Sequence, residues 1–299
     1  MPVTSFAPLT VLDGGLGSHL ETRGHDLTGD LWSARLLIDQ PDAIRAAHVD
    51  YFAAGAQVAI SASYQVSFEG VAALGRSELQ GAEVLRLSVD LAREARDAAA
   101  TGGLVAASVG PYGATRADGS EYRGDYDLDS AGLRAWHERR FETLATSGAD
   151  LLAIETIPST AESTALLDLL TGSGITAWLS YTVRDGRLPT GESLESAFAV
   201  AADVDEVIAV GINCSHPDEV LGAIRAARAS CDKAIVVYPN SGETWNAATR
   251  SWHGRPGPSV HLLESWIEAG VAAIGGCCRV GPSDIAELAD ALRTRPERQ

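Results

Sequence analysis

The sequence predicts a single (β/α)8 barrel. Three observations carry that expectation. Eight short apolar runs recur along the chain, amphipathic helical patterns separate them, and no stretch rich in Pro, Gly or Ser divides residues 1–299 into two bodies. Strands buried on both faces read as nearly continuous apolar runs, and the helices between them cover a parallel sheet. A barrel of this kind takes about 250 residues plus insertions, which suits the length. An open doubly wound sheet satisfies the same alternation and stands as the second arrangement.

Taken in order, the expected strands are Leu9–Leu12, Val58–Ala62, Leu104–Val109, Leu151–Ile154, Ile175–Tyr181, Val207–Ile212, Ala234–Tyr238 and Val271–Ile274. Each is short and often β-branched. The first clear helix opens at Pro41-Asp42-Ala43 and runs to about Ala54, where Gly55 stops it. The segment from about Glu78 to Ala100 places Ala and Leu at helical spacing among Arg and Glu. Ser130 is the expected cap of a helix that ends before Gly148. Further helices are expected at about 159–170, 193–202, 216–229, 259–269 and 282–293, the last with Pro282 in its first turn. Residues 110–129 and 239–258 are irregular. Both follow predicted strands, so a barrel would set them over its catalytic face, where long loops carry function.

Composition excludes several classes. The formal charge of −17, from 40 acidic and 23 basic residues, leaves no obvious basic face for nucleic acid. No apolar run is long enough to span a membrane, and the N-terminus lacks the pattern of a signal peptide. Four cysteines do not make a disulfide framework. The expectation is a cytoplasmic enzyme with small-molecule substrates, and a monomer is favoured. Gly14-Gly15-Leu16-Gly17 does not have dinucleotide-fingerprint spacing, and neither a P-loop nor a Gly-x-Ser-x-Gly elbow occurs. His19, His48, His137 and His261 fall in helix-like contexts that suit structural roles.

Three motifs end predicted strands: Asp13-Gly14-Gly15-Leu16-Gly17, Gly211-Ile212-Asn213-Cys214-Ser215 and Gly275-Gly276-Cys277-Cys278-Arg279. In a parallel barrel every strand opens on one face at its C-terminal end, so these motifs converge. Three thiolates suit zinc, and three protein ligands leave a fourth position open for a substrate. Neighbouring residues of a regular strand point to opposite faces. Cys277 and Cys278 therefore share one ion only if the chain bends, which Gly275-Gly276 permits. The adjacent pair could instead be core residues, or could cycle between thiol and disulfide in a redox or zinc-binding barrel. Cys231, between a helix and a strand, is left outside the site.

These motifs, in this order, resemble the homocysteine S-methyltransferase family. Ser108-Val-Gly-Pro-Tyr-Gly-Ala114, Asp118-Gly-Ser-Glu-Tyr-Arg-Gly-Asp-Tyr126, Ser63-Tyr64-Gln65 and Leu31-Trp32-Ser33-Ala34 are similar to the branch that uses S-methylmethionine or S-adenosylmethionine. The resemblance covers essentially the whole chain. It implies zinc held by Cys214, Cys277 and Cys278, and methyl transfer from a sulfonium donor to homocysteine, giving methionine. S-Methylmethionine is favoured as the donor by the resemblance alone. A betaine-dependent enzyme, or one acting on another thiol or a selenol, is the enzymatic alternative.

Asp13 and Glu155 sit at strand ends, and the resemblance gives both the substrate amino group. Gly14 and Gly15 could offer N–H groups to the substrate carboxylate. Ser63, Gln65 and Asn213 are polar candidates for the amino-acid portion or for support of a ligand. Aromatic faces stabilise a sulfonium as they do other cations, which singles out Trp32, Tyr112, Tyr122 and Tyr126 on the donor side, with Glu121 beside them.

Overall fold

The computed structural model describes residues 3–27, 32–246, 251–253 and 260–295. Its strands are β1 (Thr10–Val11), β2 (Val58–Ile60), β3 (Leu104–Val109), β4 (Leu151–Ile157), β5 (Ala177–Tyr181), β6 (Val207–Asn213), β7 (Ala234–Tyr238), a hairpin of β8 (Thr244–Asn246) and β9 (Ser251–His253), and β10 (Ala273–Ile274). Eight of them form one sheet in the order β1-β10-β7-β6-β5-β4-β3-β2. Every pairing in it is parallel. A parallel bridge between Leu12 and Val58 joins the two ends, with the Asp13 amide donating to the Val58 carbonyl at 3.0 Å. The sheet is therefore a closed (β/α)8 barrel and not an open sheet.

The predicted helices appear as α3 (Pro41–Ala53), α5 (Glu78–Ala99), α6 (Ser130–Ala145), α7 (Thr160–Leu170), α8 (Leu194–Ala199), α9 (Val220–Ser230), α10 (Val260–Glu268) and α11 (Pro282–Arg293). Short helices α1 (Leu16–Thr22), α2 (Trp32–Asp39) and α4 (Phe68–Ala73) fill connections for which the sequence gives no helix bounds. Capping fixes several starts. Ser77 and Gln80 form a reciprocal capping box on α5, which satisfies amides that the helix itself cannot. Asp129, rather than Ser130, caps α6 by accepting from the Gly132 amide. Ser130 is thus the first residue of the helix.

Alternate strand residues face two cores, as the pleat requires. Leu12, Val58, Ala106, Leu151, Ala153, Trp178, Ala209, Val236, Tyr238 and Ala273 pack with one another inside the barrel. Their neighbours, such as Val105, Ile154, Leu179, Ile212 and Val237, pack outward against the helices. Trp178 closes the interior by donating to the Tyr238 hydroxyl at 2.9 Å. The interior is filled, so ligands have access only at the C-terminal mouth. No helix among the described residues is long and apolar enough to cross a membrane.

Candidate active site

The three cysteines meet at that mouth. β6 ends at Asn213, and Cys214 turns the chain in a left-handed conformation, φ 48°. β10 ends at Ile274, so Cys277 and Cys278 lie beyond the strand and its alternation no longer applies. Gly275 and Gly276 serve close packing here: a Cβ at Gly275 would lie 2.6 Å from the Cβ of Leu12, and one at Gly276 would lie 2.1 Å from Val280 Cγ1. The bend anticipated from the two glycines is thus a tight approach to the first strand and to Val280.

Main-chain bonds hold this loop on several sides. Gly276 N–H donates to Asp13 O at 3.0 Å and Cys277 N–H to Pro239 O at 2.8 Å. Cys278 N–H donates to Asn240 Oδ1 at 3.1 Å, and Arg279 N–H to Ser18 Oγ at 2.9 Å. The Arg279 guanidinium pairs with the buried Glu243 carboxylate at 2.7 Å. The three sulfurs lie within 4.8 Å of one another. Cys214 and Cys277 are joined as a disulfide, with Cα atoms 5.4 Å apart, while Cys278 is a free thiol. Ligands on one tetrahedral zinc, at about 2.3 Å each, stand about 3.8 Å apart. Once the disulfide is reduced, this donor set fits such an ion in type, number and spacing.

Two buried carboxyls lie on the interior side of the site. Asp13 Oδ2 accepts from the Ile60 amide at 2.8 Å, whereas Oδ1 is buried without a partner among the described residues. Glu155, 6% exposed, accepts from the Ser108 hydroxyl. Burial pushes Asp13 well above the usual carboxylate range, with its amide bond to Ile60 opposing and the nearby Glu155 adding. Burial likewise lifts Glu155 to about 7, against the Ser108 and Tyr238 hydroxyls and the charge of Arg140. Burial disfavours the charged form of both acids, and one of them has an orphaned oxygen, so an incoming ammonium group would supply the missing counter-charge.

The other acceptor-side candidates divide. Gln65 Oε1 is buried and unpartnered. Ser63 is committed to the fold: its hydroxyl donates to Ser108 O at 2.8 Å and meets Ser61 Oγ at 2.8 Å. Gly15 N–H donates to Val280 O at 2.9 Å, so the two glycines cannot both serve a substrate carboxylate. Asn213 acts through Thr156, accepting from its amide and donating to its hydroxyl, both at 2.7 Å. That bracket holds Thr156 left-handed, φ 59°, next to Glu155.

On the donor side, Tyr122 lies against Cys278, and Glu121 carries a buried, unpartnered Oε2 nearby. Tyr112 instead stacks edge-on with Tyr126 and Trp136, at 5.2 and 5.0 Å between centroids. Both Tyr112 and Tyr126 therefore build the loop. The side chain of Trp32 lies outside the described residues. A cavity of about 550 Å³ opens beside Cys214 and Cys278, with Tyr122 in its wall.

Some supporting residues are not among the site candidates the sequence offers. Tyr64 presents a buried, unpartnered hydroxyl toward Thr156 and Glu121. Arg140, 1% exposed, donates to four carbonyls: Ser63 and Val66 at 2.8 Å, Gly110 at 2.9 Å and Tyr64 at 3.0 Å. Glu162 Oε1 accepts from the Tyr112 amide at 2.6 Å and from His137 Nε2 at 2.8 Å. Arg140 and Glu162 thus fix the loops that carry Gln65, Glu121 and Tyr122.

Residues 10–292 match the family model for homocysteine S-methyltransferase. The chain belongs to the homocysteine S-methyltransferase family. A homocysteine S-methyltransferase of Escherichia coli (strain K12) is 44% identical over 94% of both chains. A selenocysteine methyltransferase of Astragalus bisulcatus is 40% identical over 92% of this chain and 90% of its own. The crystal structure of the E. coli homocysteine methyltransferase MmuM in its metallated form has a TM-score of 0.86 at 42% identity, covering 95% of this chain and 96% of that one. Its oxidized form scores 0.85 at 43% identity, covering 96% of each. The present chain, a homocysteine methyltransferase, carries its three cysteines at the mouth of the barrel, with the two buried carboxyls nearby.

Proposed function

We propose that the enzyme transfers a methyl group from a sulfonium donor, S-methylmethionine in preference to S-adenosylmethionine, to the sulfur of L-homocysteine bound at a zinc site formed by Cys214, Cys277 and Cys278. The observation that carries this reading is the convergence of three sulfurs within 4.8 Å, near an acid pair with an orphaned oxygen. When bound, zinc supplies a thiolate at neutral pH from a thiol that is otherwise mostly protonated. Such a site needs reduced cysteines, which supports a cytoplasmic reading.

The chain's own residues do the rest. Asp13 and Glu155 receive the homocysteine ammonium, which draws both toward their charged forms. Asn213 keeps Thr156 and the adjoining Glu155 in place. Tyr122 and Glu121 face the sulfonium with a π surface and an acceptor oxygen. As the new S–CH3 bond forms, the old one breaks and its electron pair stays on the donor sulfur, which becomes a neutral thioether. The thiol proton leaves to solvent. Alignment in a shielded site supplies most of the acceleration, because the leaving group needs no protonation.

When S-methylmethionine, S-adenosylmethionine and betaine are offered separately to reduced, zinc-loaded enzyme, methionine should form from homocysteine fastest with the first, more slowly with the second and not with betaine. Turnover with betaine alone would overturn the sulfonium reading, and turnover with none would overturn the reaction.

A further inference from the structure

The cavity beside the cysteines carries an arginine that the chemistry above does not use. Its wall includes Cys214, Cys278, Tyr122, Arg184, Glu219 and Arg279, but neither Asp13 nor Glu155. The two carboxyls assigned to the acceptor's amino group thus do not line this cavity. Of the two arginines, Arg279 is already paired with Glu243. Arg184 is exposed, and its guanidinium makes no hydrogen bond or ion pair among the described residues.

Its placement is nonetheless fixed. Arg184 and Arg187 exchange main-chain bonds of 3.0 and 3.1 Å around Asp185 and Gly186, which are both left-handed at φ 54° and 70°. That is a tight two-residue hairpin turn. Both oxygens of Glu219 grip the turn, accepting from the Asp185 amide at 2.8 Å and the Gly186 amide at 3.0 Å. On the other side, Val183 N–H donates to Ser215 Oγ at 2.8 Å. Ser215 directly follows Cys214, so the turn is tied at one end to the cysteine segment and at the other to Glu219. A cation is held on a braced turn, along a cavity that begins at the reacting sulfurs.

We propose that Arg184 binds the α-carboxylate of the methyl donor, so that the cavity selects sulfonium compounds that carry an amino-acid end. The inference rests on the sulfonium reading given above. With the donor sulfur at Tyr122 and Cys278, its amino-acid chain runs along the cavity wall to the guanidinium, which matches a carboxylate with paired N–H donors. S-Methylmethionine and S-adenosylmethionine share this end, so Arg184 recognises what the two have in common.

The test uses full-length, reduced, zinc-loaded enzyme and saturating homocysteine. Arg184→Gln should raise the KM for S-methylmethionine by about tenfold, with kcat and the KM for homocysteine unchanged. Arg184→Lys should recover only part of that loss, because an ammonium keeps the charge but not the paired donors. Wild type should disfavour the carboxamide of S-methylmethionine by a similar factor, and Arg184→Gln should accept acid and amide alike. An unchanged KM, or acid-over-amide preference that survives in Arg184→Gln, would overturn the proposal. If wild type turns over no sulfonium donor, the reaction reading fails by itself. The carboxylate site is then judged by calorimetric titration of S-methylmethionine, where equal heats for wild type and Arg184→Gln, or no heat for either, overturn it.

Discussion

Replacing Glu155 with glutamine should stabilise the ligand-free protein at high pH while weakening its hold on homocysteine. Burial lifts the Glu155 carboxyl from 4.5 to about 7. The folded protein therefore keeps this proton after the unfolded chain has lost it. Stability falls as pH rises from about 4.5, and the loss is complete once pH passes about 7. At about 1.4 kcal/mol per pH unit, this displacement costs about 3 kcal/mol at pH 8. Glutamine keeps the shape and an acceptor for the Ser108 hydroxyl but cannot ionise. Urea unfolding of reduced, metal-free protein at pH 5 and pH 8 reads the difference. Between the two, the stability of Glu155→Gln relative to wild type should move by about 2.5 kcal/mol in favour of the variant. Asp13 shifts in the same direction, but it is present in both proteins. Parallel pH profiles would refute the reasoning, because they would mean that Glu155 is ionised in the folded protein at little cost. Calorimetry with homocysteine should show affinity reduced at least about tenfold in the variant, since the ammonium loses one carboxylate.

Cys214→Ala should lose bound zinc and methyl transfer together, whereas Cys231→Ala should keep both; metal analysis and methionine formation check the pair. Asn213→Ala leaves the buried Thr156 amide and hydroxyl without their partner, and should lower unfolding free energy by about 2–3 kcal/mol. Its kcat/KM should fall as well, because Glu155 adjoins the freed residue. Gly211→Ala should not give soluble protein, since a Cβ there would lie 1.6 Å from the Val236 carbonyl oxygen.

The barrel was legible because its strands are buried on both faces, and runs such as Val207–Ile212 advertise that burial. Helices α2 and α4 were not, since eight and six residues are too few for a helical period to stand out, and of α1 only the helix-like setting of His19 showed. Residues 239–258, read as irregular, include the β8–β9 hairpin. The cysteines were legible because thiols are scarce and their chemistry is narrow. Tyr112, Tyr122 and Tyr126 share one loop, and nothing in their spacing tells which turns toward Cys278. That choice is made by 3-10 turns at Tyr112–Arg116 and Ser120–Tyr122. Arg140 was hidden for a different reason. Its partners are carbonyls 30 to 77 residues away in sequence, and a carbonyl is the same in every residue.

That anonymity has an evolutionary consequence. Arg140 holds the segment 63–66 and Gly110 by their backbone alone, so it places no demand on what the side chains there are. Tyr64 and Gln65 can be exchanged for others without releasing the segment from its anchor. Shape and selectivity are thereby inherited separately: one buried guanidinium preserves the path of the chain while the groups facing the ligand are free to diverge. A library randomised at Gln65 and Tyr64, with Arg140 and Gly110 kept, is where a change of acceptor thiol should be sought first.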